Sequence, residues 1–450
     1  MKLLGKSAVL FFLIAVTLSL GTVQVFAESS AESFPDVSKA SSVYFYHVES
    51  GRCMGAKNES AVLSAGTMVR MLSGLIFCEE LADRQSDWIV IDAGVIQDTQ
   101  GYYRFGLEAG ESYTAEQLLY LSICGGYNDA FYALAYALGD GSAQSFVERM
   151  NQRAVELGAE DTTVMDPSGI TDTSVTTALD LFSIAKVTME NALYMKISSS
   201  VFYDMNGSRR IENRNALISL AQENGRYQNS LCRGLSAGNT QRSGWSVATL
   251  SQKGNDRYLC IVLGGAEGEG ERPEKYGYVI ANRLIQWGYA NYSYLEVLTP
   301  QTVICSIPVE ISDLVREVQV KPAESMSFYL PAGVSVGEEI QLNVRLMYES
   351  LEAPVAVGTH VGYVAVIYQG EILGTVAIYT AEEAPRGRFI GGLKRIQGLT
   401  EDRAVRAGLI FFVIALIGWI LTEYLMKRAR HHKWDRYFSE KIDTSETFLK

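Results

Sequence analysis

The chain has 450 residues, enough for two or three domains of ordinary size. Hydrophobic residues make up 48% and charged residues 20%, a balance that excludes wholesale disorder. The formal net charge of −12 speaks against a large basic surface, so nucleic acid is not an expected partner.

Histidine usage narrows the chemistry. There are four: His47, His360, His431 and His432, and the last two lie in a basic tail. A His-based triad or a multi-His metal site is hard to build from the remaining two. No metal or cofactor is expected, and nucleophilic chemistry would need a Lys or a carboxylate as its base. Six cysteines (53, 78, 124, 232, 260, 305) show no CxxC spacing, which argues against a metal ribbon and leaves buried thiols or disulfides open.

In chain order, residues 1–27 read as a signal peptide. Lys2 and Lys6 begin it, Ala8 to Leu20 is apolar or small, and Val25-Phe26-Ala27 offers a cleavage site before Glu28. Val43 to Val48 alternates like a strand and meets a turn at Ser50-Gly51. Met68 to Leu81 has helical spacing, and Thr114 to Leu138 reads as two helical stretches broken at Gly125-Gly126. Ser142 to Leu157 and Thr176 to Met189 are further helices. Trp245 to Ser251 and Arg257 to Leu263 form a hairpin across Lys253-Gly254-Asn255-Asp256. Strands at both ends and helices between them predict a sheet whose first and last strands are neighbours, with helices packed on it.

Beyond about Tyr292 the helical period is lost. Short alternating runs punctuated by Gly and Pro predict an all-β module over 298–380, then a charged connector over 381–403. Residues 404–426 are apolar enough to span a bilayer, since about 20 residues of helix match a hydrocarbon core of about 30 Å. Lys427, Arg428, Arg430, Lys433 and Arg436 follow at once, a positive-inside flank that makes 427–450 a cytosolic tail. The predicted location is therefore the cell membrane, single-pass, with the folded part outside, and residues 28–425 carry a net −17.

Several stretches of the exported part resemble, in order, the serine-type D-alanyl-D-alanine carboxypeptidases, the low-molecular-mass penicillin-binding proteins of peptidase family S11. They are Tyr44 to Arg52, Ala130 to Gly158, Asp166-Pro167-Ser168-Gly169-Ile170, Asn213-Arg214-Asn215, Gly238-Asn239-Thr240 with Gly244, and Leu351 to Val355 with Gly358, Gly362, Gly370 and Gly374. The resemblance implies an α/β architecture. A β-lactamase/transpeptidase-like domain over 28–292 is followed by a small all-β domain and a C-terminal transmembrane helix. It also implies a peptidoglycan stem peptide or muropeptide as ligand.

The family's chemistry rests on SxxK, SxN and KTG. In SxxK the Ser is the nucleophile and the Lys, one helical turn on, its base. The Ser of SxN relays protons and the Asn holds the substrate amide. KTG binds the terminal carboxylate. The matching positions here are Thr67-Met68-Val69-Arg70, Gly126-Tyr127-Asn128 and Ser236-Ala237-Gly238, so only Asn128 keeps its chemical side chain. Thr67 stands at the nucleophile position, Arg70 at the base and Gly126 at the relay. Ser236, Ala237, Gly238 and Thr240 stand at the substrate strand, and Arg214 could supply a cation to a carboxylate. A guanidinium stays protonated, so Arg70 cannot replace a Lys base. Gly126 has no relay, and Ser236-Ala237 lacks a cation and a hydroxyl. A literal SxxK at Ser183–Lys186 falls in a helix where the family has no chemistry. The expectation is a degenerate family member that binds stem peptide or a protein partner. The alternatives are an active carboxypeptidase using Thr67 and a wall-sensing receptor or scaffold.

Overall fold

The computed structural model describes residues 33–387, apart from 206 and 208, and a helix over 403–443. The expected signal peptide and most of the expected connector lie outside the described residues. The described chain divides into two units, Met1–Leu295 with Tyr329–Val334, and Glu296–Phe328 with Ser335–Lys450.

The first unit is built on a five-stranded antiparallel sheet. Its strands are β1 (Ser42–His47), β2 (Arg52–Lys57), β3 (Cys232–Thr240), β4 (Gly244–Lys253) and β5 (Asp256–Gly265), in the order β2-β1-β5-β4-β3. The first and last strands of the unit's sequence are therefore neighbours, with Ser42 opposite Leu263 and His47 opposite Tyr258. In β5 both parities are apolar, because both faces of the sheet are covered. Leu259, Ile261 and Leu263 join a core formed with the helices inserted between β2 and β3. Tyr258, Cys260 and Val262 join a second core with the helix Tyr276–Asn291.

Of the inserted helices, α1 (Val69–Leu81) is central, with ten of its thirteen residues buried. Such all-round apolarity marks a helix enclosed by its neighbours. The helix α2 (Ala115–Leu119) starts at a capping box between Thr114 and Gln117, and runs into a π-turn over Tyr120–Cys124. Gly125 and Gly126 end that turn, and α3 (Asn128–Leu138) begins afresh. The helical break expected at the glycine pair is therefore a π-bulge and a loop, a common device for aiming side chains.

The second unit contains a six-stranded sheet. Its strands are β6 (Cys305–Glu310), β7 (Glu317–Pro322), β8 (Ile340–Leu346), β9 (Leu351–Glu352), β10 (His360–Tyr368) and β11 (Glu371–Thr380), in the order β8-β10-β11-β7-β6-β9. The helix Arg403–Asp443 contains one segment, Arg406–Arg428, long and apolar enough to cross a membrane, with a mean hydropathy of 2.2. Phe411, Phe412, Ile414, Trp419 and Ile420 on it are all exposed. The helix continues through much of the stretch expected as a tail. All six cysteines are free thiols, and Cys78, Cys124, Cys232 and Cys260 are buried.

Candidate active site

A short 3₁₀ turn, Gly66–Met68, feeds into α1. Thr67 and Arg70 therefore sit one turn apart on the same face. Both line a cleft of about 460 Å³ whose walls include Gly126, Asn128, Arg214, Ala237, Gly238 and Thr240. Eight of the nine residues singled out from the sequence thus meet in one cleft. The ninth, Ser236, lines a chamber of about 30 Å³ that also touches Arg70, Gly126 and Arg214. The strand reaches it after an irregularity at Gly234 and Leu235, both at positive φ, which breaks the β3–β4 register. Bulges of this kind re-aim the side chains that follow.

Two glycines are required by close approach. At Gly238 a Cβ would lie 2.7 Å from Thr67 Oγ1, so β3 passes against the nucleophile position. At Gly169, with φ +73°, a Cβ would collide with the backbone of Gly66 and Thr67. The turn carrying Gly169 is held by Asp166. Its Oδ1 accepts from the N–H groups of Ser168 (2.9 Å), Gly169 (2.6 Å) and Ile170 (3.1 Å), and its Oδ2 from Thr171 N–H (3.1 Å) and Oγ1 (2.6 Å).

Arg70 is fixed in one pose. Its Nε donates to Ser168 O at 2.8 Å and its Nη2 to Asn128 Oδ1 at 2.8 Å, while the guanidinium packs 5.3 Å from the Phe131 ring centre. Burial pushes its pKa down to about 10, opposed by Asp166 and reinforced by Arg214. It remains a cation at neutral pH and cannot accept a proton. Thr67 Oγ1 is buried and has no hydrogen-bond partner among the described residues. Nucleophilic catalysis requires a base within hydrogen-bond reach of the hydroxyl, and none is placed there.

Asn128 is also engaged. Its Oδ1 is taken by Arg70 and its Nδ2 donates to Tyr103 O at 2.9 Å. Thr240 donates to Asp172 and accepts from Ser243 N–H at 3.0 Å. The side chains expected to hold a substrate amide and a carboxylate are thus tied into the protein.

The changes at positions 70 and 126 fit each other. A Cβ at Gly126 would lie 3.3 Å from Arg70 Nη1 and 3.3 Å from Arg214 Cγ, so the guanidinium takes up the room a serine would use. Gly126 also has φ +67°, where a side chain is strained. Gly126→Ser is expected to cost about 1–2 kcal/mol of stability, and less by about 0.5–1 kcal/mol in an Arg70→Lys background. Urea melts of the four proteins in the cycle measure the coupling, and strict additivity would contradict a shared space.

Several cleft residues were not found from the sequence. Tyr102 and Tyr103 reach it on a loop pinned by Asp129, whose carboxylate accepts from Phe105 N–H (2.9 Å), Gly106 N–H (2.8 Å) and Leu107 N–H (3.1 Å). Asp129→Asn turns an NH₂ toward some of these donors and should cost about 2–3 kcal/mol, read as a lowered denaturation midpoint. Trp245, Lys275 and Tyr278 form the other wall. Their one signal in the sequence is Trp245 directly after Gly244. Lys275 pairs with Glu223 and sits 4.0 Å from the Trp245 ring centre, and Arg214 lies 4.5 Å from that of Tyr103. With Arg70, Arg214 and Lys275 against Glu223, the cleft carries a net positive charge between aromatic walls. Arg233, just before the irregularity in β3, bonds Ser230 O and Cys232 O outside the cleft. Lys186 of the literal SxxK is exposed on the helix Ala178–Thr188, beside Phe182, and also lies outside it.

A two-core sheet with a helix-borne Thr67 facing a glycine of the edge strand is the arrangement of a transpeptidase-like domain. Matches to known proteins agree. The family described as D-alanyl-D-alanine carboxypeptidase matches residues 28–267, and the penicillin-binding protein 5 C-terminal domain matches 295–386. The chain belongs to the D-alanyl-D-alanine carboxypeptidase family. It is 22% identical over 396 residues to D-alanyl-D-alanine carboxypeptidase DacF of Bacillus subtilis, covering 86% of this chain and 96% of that protein. It is 28% identical over 267 residues to DacB2 of Mycobacterium tuberculosis, covering 58% and 83%. Among solved structures, penicillin-binding protein 6B from Escherichia coli is similar with TM-score 0.57 and 18% identity, over 77% of this chain and 97% of that one. Penicillin-binding protein 5 from Haemophilus influenzae gives TM-score 0.55 and 21% identity over 79% and 100%. At those identities the two structures establish the fold.

Proposed function

We propose that the protein is a membrane-anchored, extracytoplasmic member of this family that holds the stem peptide of peptidoglycan without hydrolysing it. The observation that carries the reading is the state of the catalytic pair. Thr67 Oγ1 has no partner among the described residues, while Arg70 is committed to Asn128 and Ser168. The cationic, aromatic cleft supports a peptide carboxylate as the group retained, with Arg214 as its most accessible cation. The apolar helix Arg406–Arg428 and its basic flank support a single span with the two folded units outside. A cell-wall protein partner is the other occupant this cleft would serve.

The test is calorimetric titration of the full chain in detergent with a stem pentapeptide ending in D-Ala-D-Ala, together with an assay for released D-Ala. Binding without release is expected. Arg214→Ala should weaken binding about tenfold, as expected for loss of one charge-assisted contact at an open site. Release of D-Ala that disappears in Thr67→Ala would overturn the reading, and no binding at millimolar peptide would shift it to a protein partner.

A further inference from the structure

At the end of the sheet away from the cleft, the turn after β1 meets the turn between β4 and β5. The two sites are about 25 Å apart along β4, from Trp245 to Lys253, at about 3.3 Å per residue. There His47 is fully buried, with its ring stacked 3.7 Å from that of Tyr329. Its Nδ1 is 2.8 Å from Ser50 Oγ and accepts from Ser50 N–H at 3.2 Å. Its Nε2 has no hydrogen-bond partner among the described residues and lies near two carboxylates, 3.6 Å from Glu49 Oε2 and 3.8 Å from Asp256 Oδ1. Each of the three residues offers one ligand atom, and these atoms lie within 4.8 Å of one another.

From this geometry we infer that His47, Glu49 and Asp256 form a binding site for a divalent transition-metal cation of the zinc type. The Ser50 N–H on Nδ1 puts the proton of the neutral ring on Nε2, where neither carboxylate comes within the about 2.8 Å of a hydrogen bond, and an ion replacing that proton would be met by both. Ligand atoms about 2.1 Å from a tetrahedral metal lie roughly 3.4 Å apart. The trio would close around an ion by shortening the 3.6 and 3.8 Å distances to Nε2 slightly and by drawing together the two carboxylate oxygens, which lie within 4.8 Å of each other. Imidazole in the set selects zinc and its neighbours over calcium and magnesium, which prefer all-oxygen cages.

The surroundings orient the ligands as metal sites require. Arg257 holds Glu49 through Nε to Oε1 at 2.7 Å and through its backbone N–H to Oε2 at 2.7 Å. Arg257 in turn pairs with Glu190 at 3.4 Å. Glu49, Asp256 and Glu190 against Arg257 leave two negative charges, which a divalent ion neutralises. With an ion on Nε2, Nδ1–H would donate to Ser50 Oγ at 2.8 Å, in place of accepting the longer Ser50 N–H contact, and so would hold the imidazole's orientation. A bound ion would clamp the β1–β2 turn to the β4–β5 turn without touching the cleft.

The test is competition of Zn²⁺ against a chromophoric chelator, using the full chain in detergent. His431→Gln and His432→Gln are present throughout, so that the tail imidazoles do not contribute. One Zn²⁺ per chain is expected, with affinity reduced about 100-fold or more by Asp256→Asn and by His47→Gln. Mg²⁺ and Ca²⁺ should not compete. Co²⁺ should give visible ligand-field bands that both variants lose. Asp256 is partly exposed, so its variant keeps the test readable where His47→Gln fails to fold. No uptake by the parent, or uptake unchanged in Asp256→Asn, would overturn the site.

Discussion

Replacing Arg70 by alanine is expected to lower the melting temperature of the protein by about 6–12 °C. The variant strands two acceptors at the cleft floor, Asn128 Oδ1 and Ser168 O, each bonded at 2.8 Å in the native protein. A buried acceptor left unpaired costs about 1–3 kcal/mol. Recovery of the guanidinium's hydration offsets part of this, so the net loss should be about 3 kcal/mol. For a unit of this size, 1 kcal/mol corresponds to about 2–4 °C. Arg70→Lys keeps a donor to one acceptor and should lose about half as much. A melting temperature within 2 °C of wild type for Arg70→Ala would show that the network is not structural. The residue at the base position would then need another role.

Reverting the nucleophile and base together is expected to leave hydrolysis undetected. Thr67→Ser with Arg70→Lys supplies the SxxK pair. It leaves Gly126 without a relay and Ser236-Ala237 without the cation and hydroxyl of the carboxylate strand. Groups that act as a unit lose rate together rather than in increments. Release of D-Ala from a pentapeptide should stay at least about 1,000-fold below that of an active family member assayed alongside. Recovery of comparable turnover by the double change would mean that positions 126, 236 and 237 do not limit the chemistry.

Much of the fold could be read from the sequence because its signals are local and periodic. Alternation over Val43 to Val48 announced β1, and the hairpin turn at Lys253-Gly254-Asn255-Asp256 announced β5. Their adjacency followed from strands lying at both ends of a helical middle. The glycine pair at 125–126 announced a break, but a π-turn leaves no periodic trace. The cleft was legible only through the order of degenerate motifs. What those motifs could not show is commitment. That Asn128 is consumed by Arg70 and Tyr103, and Thr240 by Asp172, depends on contacts between residues distant in the chain. The aromatic wall of Tyr103, Trp245 and Tyr278 joins three separate segments, so no window of sequence contains it. His47 was one of two body histidines set aside because no second histidine accompanies it. Its carboxylate neighbours come from an adjacent turn and from a hairpin two hundred residues on.

Among the described residues, nothing activates the Thr67 hydroxyl. The most direct test is labelling of the full chain in detergent with a fluorescent penicillin, which traps an acyl-enzyme and needs only a nucleophile and its activation. No covalent label above the level of a Thr67→Ala control is expected, with the protein shown to be folded by its melting transition. Labelling of the wild type that disappears in Thr67→Ala would instead make Thr67 a working, activated nucleophile.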